Sequence, residues 1–354
     1  MKLIHTSDLH LDSPLTSRLS PIKARERKRE LIASFREIIE DAKRINAAGI
    51  IIAGDLFDSD AVSTRVIDTV IGIIESAAPT PFFYLPGNHE GGRLASSGVT
   101  IPENLKIFGE GWTYYEIGEL TLAGRSVICE NMLSDLVLDP KRKNVLVLHG
   151  ELCDKCAAPE SIGRRELADF PIDYIALGHY HSYSETKIGE RTVAVYCGTP
   201  EGRGFDEAGD CGYSLIDTDG DRISHRFIKR SLRSTRIIPV DISGAQREIE
   251  IENRVADALC GIAGDDLVRV VLVGEYEPGV RRDTDSLTLR FSDSFYYFEI
   301  KDESRLRISS ADYINDKSLK GEFIRLVLSQ KELSQKERDA IIECGIRALS
   351  GELI

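Results

Sequence analysis

Six short apolar runs punctuate the first 200 residues, and they constrain the fold more than any other feature of the chain. Lys2 to Thr6, Ile50 to Ala53, Phe82 to Leu85, Asn144 to Leu148, Tyr174 to Leu177 and Thr192 to Tyr196 are rich in Ile, Val, Leu, Phe or Tyr, and each ends in polar residues or glycine. Such runs read as buried strands. Between the first two lies a helix: Ser20 caps it, Pro21 suits its first turn, and Leu31, Phe35, Ile38, Ile39, Ala42 and Ile45 recur every three or four residues before Gly49. A second apolar-periodic segment, Val62 to Ser76, separates the next pair and stops near Pro79. Strand, helix, strand is the layout of an α/β sandwich.

The residues that follow these strands are chemically selective. After the first comes Asp8-Leu9-His10, after the second Gly54-Asp55-Leu56-Phe57-Asp58, after the third Gly87-Asn88-His89-Glu90, after the fourth His149-Gly150, and after the fifth Gly178-His179-Tyr180-His181. Of the 7 histidines, only His5 and His225 lie elsewhere. The carboxyl edge of an open α/β sheet is where ligands bind. Taken singly, an Asp-x-His or a Gly-Asp is most often turn chemistry; five such tips in succession are not explained that way. Imidazole nitrogen mixed with carboxylate and amide oxygen, without thiolate, suits divalent Mn²⁺, Fe²⁺ or Zn²⁺. The number of donors implies two ions.

A length of 354 residues suggests two or three domains. Near Tyr213 the pattern changes. Tyr213 to Asp217, Asp219-Gly220 and Arg222 to Ile228 read as a hairpin, and Ser231 to Ser234 as a linker. Beyond it the pattern gives a helix over Ala245 to Cys260 and strands at Val268 to Val273 and Leu287 to Phe291. Two amphipathic helices follow, in Lys317 to Gln330 and Ser334 to Leu349. The expected organisation is a first domain over 1–232, a smaller α/β domain over 236–316 and a helical tail over 317–354.

Net charge is −13, which weighs against nucleic-acid binding by bulk charge but leaves room for a basic patch or for metal ions that touch phosphate. The run Arg18, Lys23, Arg25, Arg27, Lys28 and Arg29 is either a solvated helix face or a contact to a phosphate backbone, and Arg164, Arg165 and Arg203 invite the same suggestion. No stretch approaches the roughly 18 apolar residues of a spanning helix, and the start is too polar for a signal segment, so a cytoplasmic protein without membrane contact is expected. Seven cysteines then read as reduced thiols. Cys153 and Cys156 form a lone C-x-x-C without further zinc ligands nearby, and read as packed or surface thiols.

The five tips, Asp-x-His, Gly-Asp, Gly-Asn-His, His-Gly and Gly-His-x-His, resemble the signatures of the calcineurin-like metallophosphoesterases, over residues 1 to about 230. The stretch Thr6 to Pro14, with Gly54 to Asp58 and with Tyr196 to Glu207, resembles the SbcD-type DNA-repair exonucleases and particularly their YhaO-like branch. The resemblance implies a metallophosphoesterase β-sandwich flanked by helices. Asp8, His10 and His181 would hold one metal, Asn88, His149 and His179 the other, and Asp55 would bridge them, with Mn²⁺ the expected ion. His89 would stabilise the phosphate or protonate the leaving oxygen, with Glu90 fixing its tautomer. Asp12, Asp58 and Asp60 are either partners of the histidine ligands or caps and turns.

By the same resemblance the chain would hydrolyse DNA phosphodiester bonds as a repair exonuclease. Residues 236–316, with a segment around Asp312 to Phe323, would cap the site. The tail would bind an SbcC-type ATPase or pack on its own second domain, and the nuclease domain would form a homodimer. Alternatives are a phosphatase or small-molecule phosphodiesterase of the same superfamily, and a catalytically silent scaffold.

Overall fold

The computed structural model describes residues 1–15, 19–59, 61–87, 90, 94, 97–129, 131–154, 161–276, 280–307 and 316–349. Arg18, Asp60, Asn88, His89, Cys156 and residues 312–315 lie outside the described residues. The chain divides into two compact units, Met1–Thr235 and Arg236–Ile354.

In the first unit the chain forms β1 (Lys2–Thr6), α1 (Pro21–Arg44), β2 (Ile50–Ala53), α2 (Thr64–Ser76), β3 (Phe82–Leu85), β4 (Leu105–Ile107), β5 (Thr113–Ile117) and β6 (Leu120–Gly124). It continues through β7 (Lys143–His149), β8 (Glu151–Cys153), β9 (Ser161–Gly163), α3 (Arg164–Leu167), β10 (Tyr174–Gly178), β11 (Ser184–Lys187), β12 (Val193–Tyr196), β13 (Gly212–Asp217) and β14 (Ser224–Lys229). These strands build two six-stranded sheets, ordered β14-β13-β1-β2-β3-β4 and β11-β12-β10-β7-β6-β5. β1 to β4 pair in parallel, as do β6, β7, β10 and β12.

Side chains alternate across a strand, and both faces of the first sheet are covered. Ile4, Ile50, Ile52, Phe82 and Tyr84 pack with Leu31, Phe35 and Ile38 of α1 and Ile67, Val70 and Ile74 of α2. Their neighbours Leu3, Ile51, Ala53, Phe83 and Leu85 meet Leu122, Val145, Val147, Tyr174, Ala176 and Val195 of the second sheet. That double burial is why Ile50–Ala53 and Phe82–Leu85 are apolar at every position. Ser20 accepts the Lys23 N–H at the start of α1, with Pro21 at its first position, and Ser63 accepts the Val66 N–H at the start of α2. The sandwich thus aims the carboxyl ends of β1, β2, β3, β7, β10 and β12 at one edge.

The basic run on α1 needs correction at Arg27. Its side chain is buried, Nη2 lying 2.9 Å from Glu201 Oε1 and donating to Gly202 O at 2.7 Å. It is a structural cation and is not available to phosphate. The expected linker is likewise anchored within this unit: Leu232 N and Arg233 N donate to the Glu201 carboxylate, and the Arg233 guanidinium grips Glu30.

The second unit contains β15 (Thr235–Asp241), α4 (Glu248–Leu259), β16 (Leu267–Val273), β17 (Glu275–Tyr276), α5 (Thr284–Phe291), β18 (Tyr297–Asp302), β19 (Arg305–Leu306), α6 (Leu319–Ser329) and α7 (Gln335–Leu349). A three-stranded sheet, β15-β16-β18, has β16 and β18 in parallel. Leu287 to Phe291, expected as a strand, is the end of α5. Asp283 caps that helix by accepting the Ser286 N–H, and Leu287 alone among its residues is buried. The strand paired in parallel with β16 is Tyr297–Asp302 instead. Ile324 and Val327 of α6 and Ile342 and Ile346 of α7 belong to the same core as Ile251, Val255, Val268 and Val270.

Candidate metal centre

The loops after β1 and β2 are laced together by their backbones: Asp8 N donates to Gly54 O, His10 N to Asp55 O and Leu11 N to Leu56 O, each at 3.0 Å. His179 N, after β10, donates to Asp8 Oδ1 at 3.0 Å, so the second sheet is tied to the same carboxylate. Four of the polar tip residues adopt positive φ, Asp8 at 51°, His10 at 44°, Asp55 at 50° and His179 at 103°. Left-handed backbone is strained for such residues and collects at functional sites.

Glycines make the close approach feasible. A Cβ on Gly87 would fall 2.0 Å from Asp55 Oδ1, one on Gly54 2.0 Å from His149 Nδ1, and one on Gly178 1.8 Å from Ala53 O. Only a residue without a side chain fits at these three strand ends.

Two overlapping donor groups result, Asp8 with His10 and His181, and Asp8 with Asp55 and His149, with ligand atoms inside each group within 4.8 Å of one another. Every imidazole is turned the same way. His10 Nδ1 lies 3.0 Å from Asp58 Oδ1, His181 Nδ1 2.7 Å from Glu207 Oε1, and His149 Nδ1 3.0 Å from Ala53 O. A proton on each Nδ1, facing its oxygen, leaves each Nε2 lone pair for the interior. There, His10 Nε2 lies 3.3 Å from His181 Nε2 and 3.8 Å from Asp55 Oδ2, while His149 Nε2 lies 3.3 Å from Asp55 Oδ2.

Convergent lone pairs and two fully buried carboxylates are a costly arrangement unless a cation stands among them. The electrostatics point the same way. Burial raises the Asp8 pKa above the ordinary carboxylate value, although His149 and Ser7 oppose it. Burial alone would lower His149, but the Asp55 hydrogen bond and the Asp8 charge outweigh it and lift its pKa to about 9. A field that draws a proton onto a buried imidazole draws a divalent ion more strongly. The donor set fits metal binding.

Around this centre, burial penalises charge on both Glu207 and His181, but their mutual contact prevails. With Arg203 adding to it, Glu207 drops to about 2, and His181 is raised. Asp12 accepts the Asp58 N–H at 2.5 Å, the turn role of its two readings. Glu90 Oε1 accepts the Phe57 N–H at 3.1 Å, and burial raises its carboxyl well above the usual range. Cys197 Sγ lies 3.1 Å from Ser7 Oγ, and burial raises its thiol pKa, so it stays a thiol. Cys153 is disulfide-bonded, which corrects the reading of a reduced thiol there, whereas Cys129, Cys197, Cys211, Cys260 and Cys344 are free.

The structure therefore brings Asp8, His10, Asp55, His149 and His181 together. The His179 ring stands 5.6 Å, centroid to centroid, from that of His149 and is in neither donor group. Asn88 and His89 fall outside the described residues. Glu207 was not singled out from the sequence; its signal was the i, i+4 spacing to Arg203 after the sixth apolar strand.

A family model described as calcineurin-like phosphoesterase matches residues 1–183, which contain every residue of the two donor groups. The chain belongs to that family. The chain thus carries a phosphoesterase domain. It is 26% identical over 272 residues to the DNA double-strand break repair protein Mre11 of Methanosarcina acetivorans, covering 71% of this chain and 42% of that relative. The Mre11 of Saccharolobus solfataricus is 22% identical over 385 aligned positions, covering 100% of this chain and 97% of its own. An uncharacterized metallophosphoesterase of Bacillus subtilis, YhaO, is 27% identical over 297 residues, with 77% and 72% covered. The phosphoesterase thus spans less than half the length of the Methanosarcina relative. Among the described residues no helix is long and apolar enough to cross a membrane.

Proposed function

We propose that this phosphoesterase is a DNA phosphodiesterase, an exonuclease of repair, working with two Mn²⁺ ions. The observation that carries the reading is the inward turn of three Nε2 lone pairs onto two buried carboxylates, in a chain whose relatives include DNA double-strand break repair proteins. Oxygen and imidazole donors without thiolate favour Mn²⁺, with Fe²⁺ or Zn²⁺ as substitutes. Asp8, His10 and His181 would hold one ion and Asn88, His149 and His179 the other, with Asp55 as the ligand they would share.

When bound, such a pair supplies Lewis acidity toward the phosphoryl oxygens and acidifies water. The chain's own residues do the rest. Asp58, Glu207 and the Ala53 carbonyl face the Nδ1 atoms of His10, His181 and His149 and leave their Nε2 atoms for the ions. The positive-φ backbone at Asp8, His10 and Asp55 fixes the carboxylates before substrate arrives, which limits reorganisation in the transition state. His89 would protonate the leaving oxygen, and Glu90 would fix its tautomer.

In this reading residues 236–316 act as a capping domain that selects DNA, the tail at 317–354 docks an SbcC-type ATPase, and the nuclease domain pairs with a second copy. The enzyme works in the cytoplasm. The net charge of −13 supports a second reading, a phosphatase or small-molecule phosphodiesterase, because it provides no bulk attraction for a polyanion.

Linear duplex and single-stranded DNA, p-nitrophenyl phosphate and bis-p-nitrophenyl phosphate, each with Mn²⁺, separate the readings. Shortening of DNA from its ends, lost in His89→Ala with metal retained, is the expected result. Turnover of p-nitrophenyl phosphate with intact DNA would overturn the nuclease assignment.

A further inference from the structure

We infer that Arg203 is a positioning residue for one cation of the pair, setting both of its imidazole ligands through the carboxylates behind them. The inference rests on the proposed reading of Asp8, His10 and His181 as one ion's ligands.

Behind His10 stands Asp58, and behind His181 stands Glu207, each on the Nδ1 side at 3.0 and 2.7 Å. The two carboxylates come from loops 149 positions apart in number, after β2 and after β12, and one guanidinium joins them. Arg203 Nη1 donates to Asp58 Oδ1 at 2.6 Å. Its Nε and Nη2 donate to Glu207 Oε1 at 2.9 and 2.6 Å, and its backbone N–H takes the other oxygen, Oε2, at 2.6 Å. Every nitrogen of the side chain is thus engaged with this pair of carboxylates, Nη2 lying also 3.3 Å from His181 Nδ1, and both oxygens of Glu207 are held.

Three consequences follow. The grip fixes the plane of each carboxylate, and with it the ring orientation of His10 and His181, whose Nε2 atoms meet at 3.3 Å. The positive charge offsets the repulsion between Asp58 and Glu207, which otherwise crowd an already acidic centre containing Asp8 and Asp55. Finally, the device is one-sided, because His149 Nδ1 is held by the Ala53 carbonyl and owes nothing to Arg203. A phosphate-backbone role for Arg203, one of the readings of the sequence, is replaced by this internal one. Lysine cannot substitute, since a single ammonium lacks the planar fork that spans two carboxylates.

The test is calorimetric titration of the purified full chain with Mn²⁺, alongside the electron paramagnetic resonance spectrum of the bound ion. Wild type is expected to take two ions. Arg203→Gln should weaken one of them by about 10- to 100-fold and leave the other unchanged, with near-ultraviolet circular dichroism retained. Arg203→Lys, which keeps charge without the fork, should weaken the same ion. Should either Arg203 variant fail to fold, Glu207→Gln removes the grip from the opposite side and should affect that ion alone. Two ions bound with wild-type affinity in folded Arg203→Gln would overturn the inference while sparing the metal reading. Wild type that binds no ion would bring down both.

Discussion

Gly54→Ala is the substitution whose cost can be worked most directly from the structure. Gly54 has φ +93°, a backbone conformation that side chains rarely adopt, and holding alanine there costs about 1–3 kcal/mol. Its added Cβ would fall 2.0 Å from His149 Nδ1 and 2.5 Å from Cγ. The ring has little room to yield, being buried and held between the Ala53 carbonyl at 3.0 Å and Asp55 at 3.3 Å. Forcing it aside is an overpacking event of about 1–3 kcal/mol. The total loss of unfolding free energy is therefore about 2–6 kcal/mol. Gly220 supplies the control: its φ is +103°, but nothing lies within 4 Å of a Cβ there, so Gly220→Ala carries strain alone. Urea unfolding of the two variants should show Gly54→Ala as the more damaged by about 1–3 kcal/mol, and only Gly54→Ala should also lose Mn²⁺ affinity. Equal losses in the two variants, with Mn²⁺ binding intact in both, would refute the packing of His149 against the end of β2.

His5 gives a pH-dependent expectation. It is fully buried with Nδ1 2.9 Å from the Tyr174 hydroxyl, and burial lowers its pKa from 6.5 to about 3. Below pH 6.5 the unfolded chain takes up a proton that the folded one refuses, so stability falls as pH drops through 6.5 toward 3. At pH 5 this amounts to about 2 kcal/mol. Urea midpoints at pH 7 and pH 5 should converge in His5→Gln relative to wild type, and an unchanged difference would contradict the assignment. In the tail, Ile346 is 2% exposed within the core of the second unit, so Ile346→Ala should cost that unit about 2–5 kcal/mol in a urea melt. A wild-type melt would mean that α7 does not pack there.

Much of the first unit was legible in the sequence because its parallel strands are buried on both faces. Ile50–Ala53 and Phe82–Leu85 cannot be mistaken for amphipathic segments, and the ligand candidates sit immediately after them. Strands that are only half covered left weaker traces. β5, Thr113–Ile117, has exposed side chains at alternate positions, and nothing in Thr-Tyr-Tyr-Glu-Ile demanded a strand. Leu287 to Phe291 failed for a different reason: a short apolar run is ambiguous, and the Asp283 cap decided for helix. Charge was the least readable property. Arg27 and Arg203 look like candidates for phosphate, yet their partners Glu201 and Asp58 lie 174 and 145 positions away in number and become neighbours only in the folded chain.

Metal content bears most directly on the account as a whole. Full-length protein equilibrated with excess Mn²⁺ and freed of unbound ion should retain two equivalents per chain by elemental analysis, and Asp55→Asn should retain fewer while keeping its fold. A wild-type chain that keeps none, or an Asp55→Asn chain that still keeps two, would contradict the claim that these strand ends form a two-metal site.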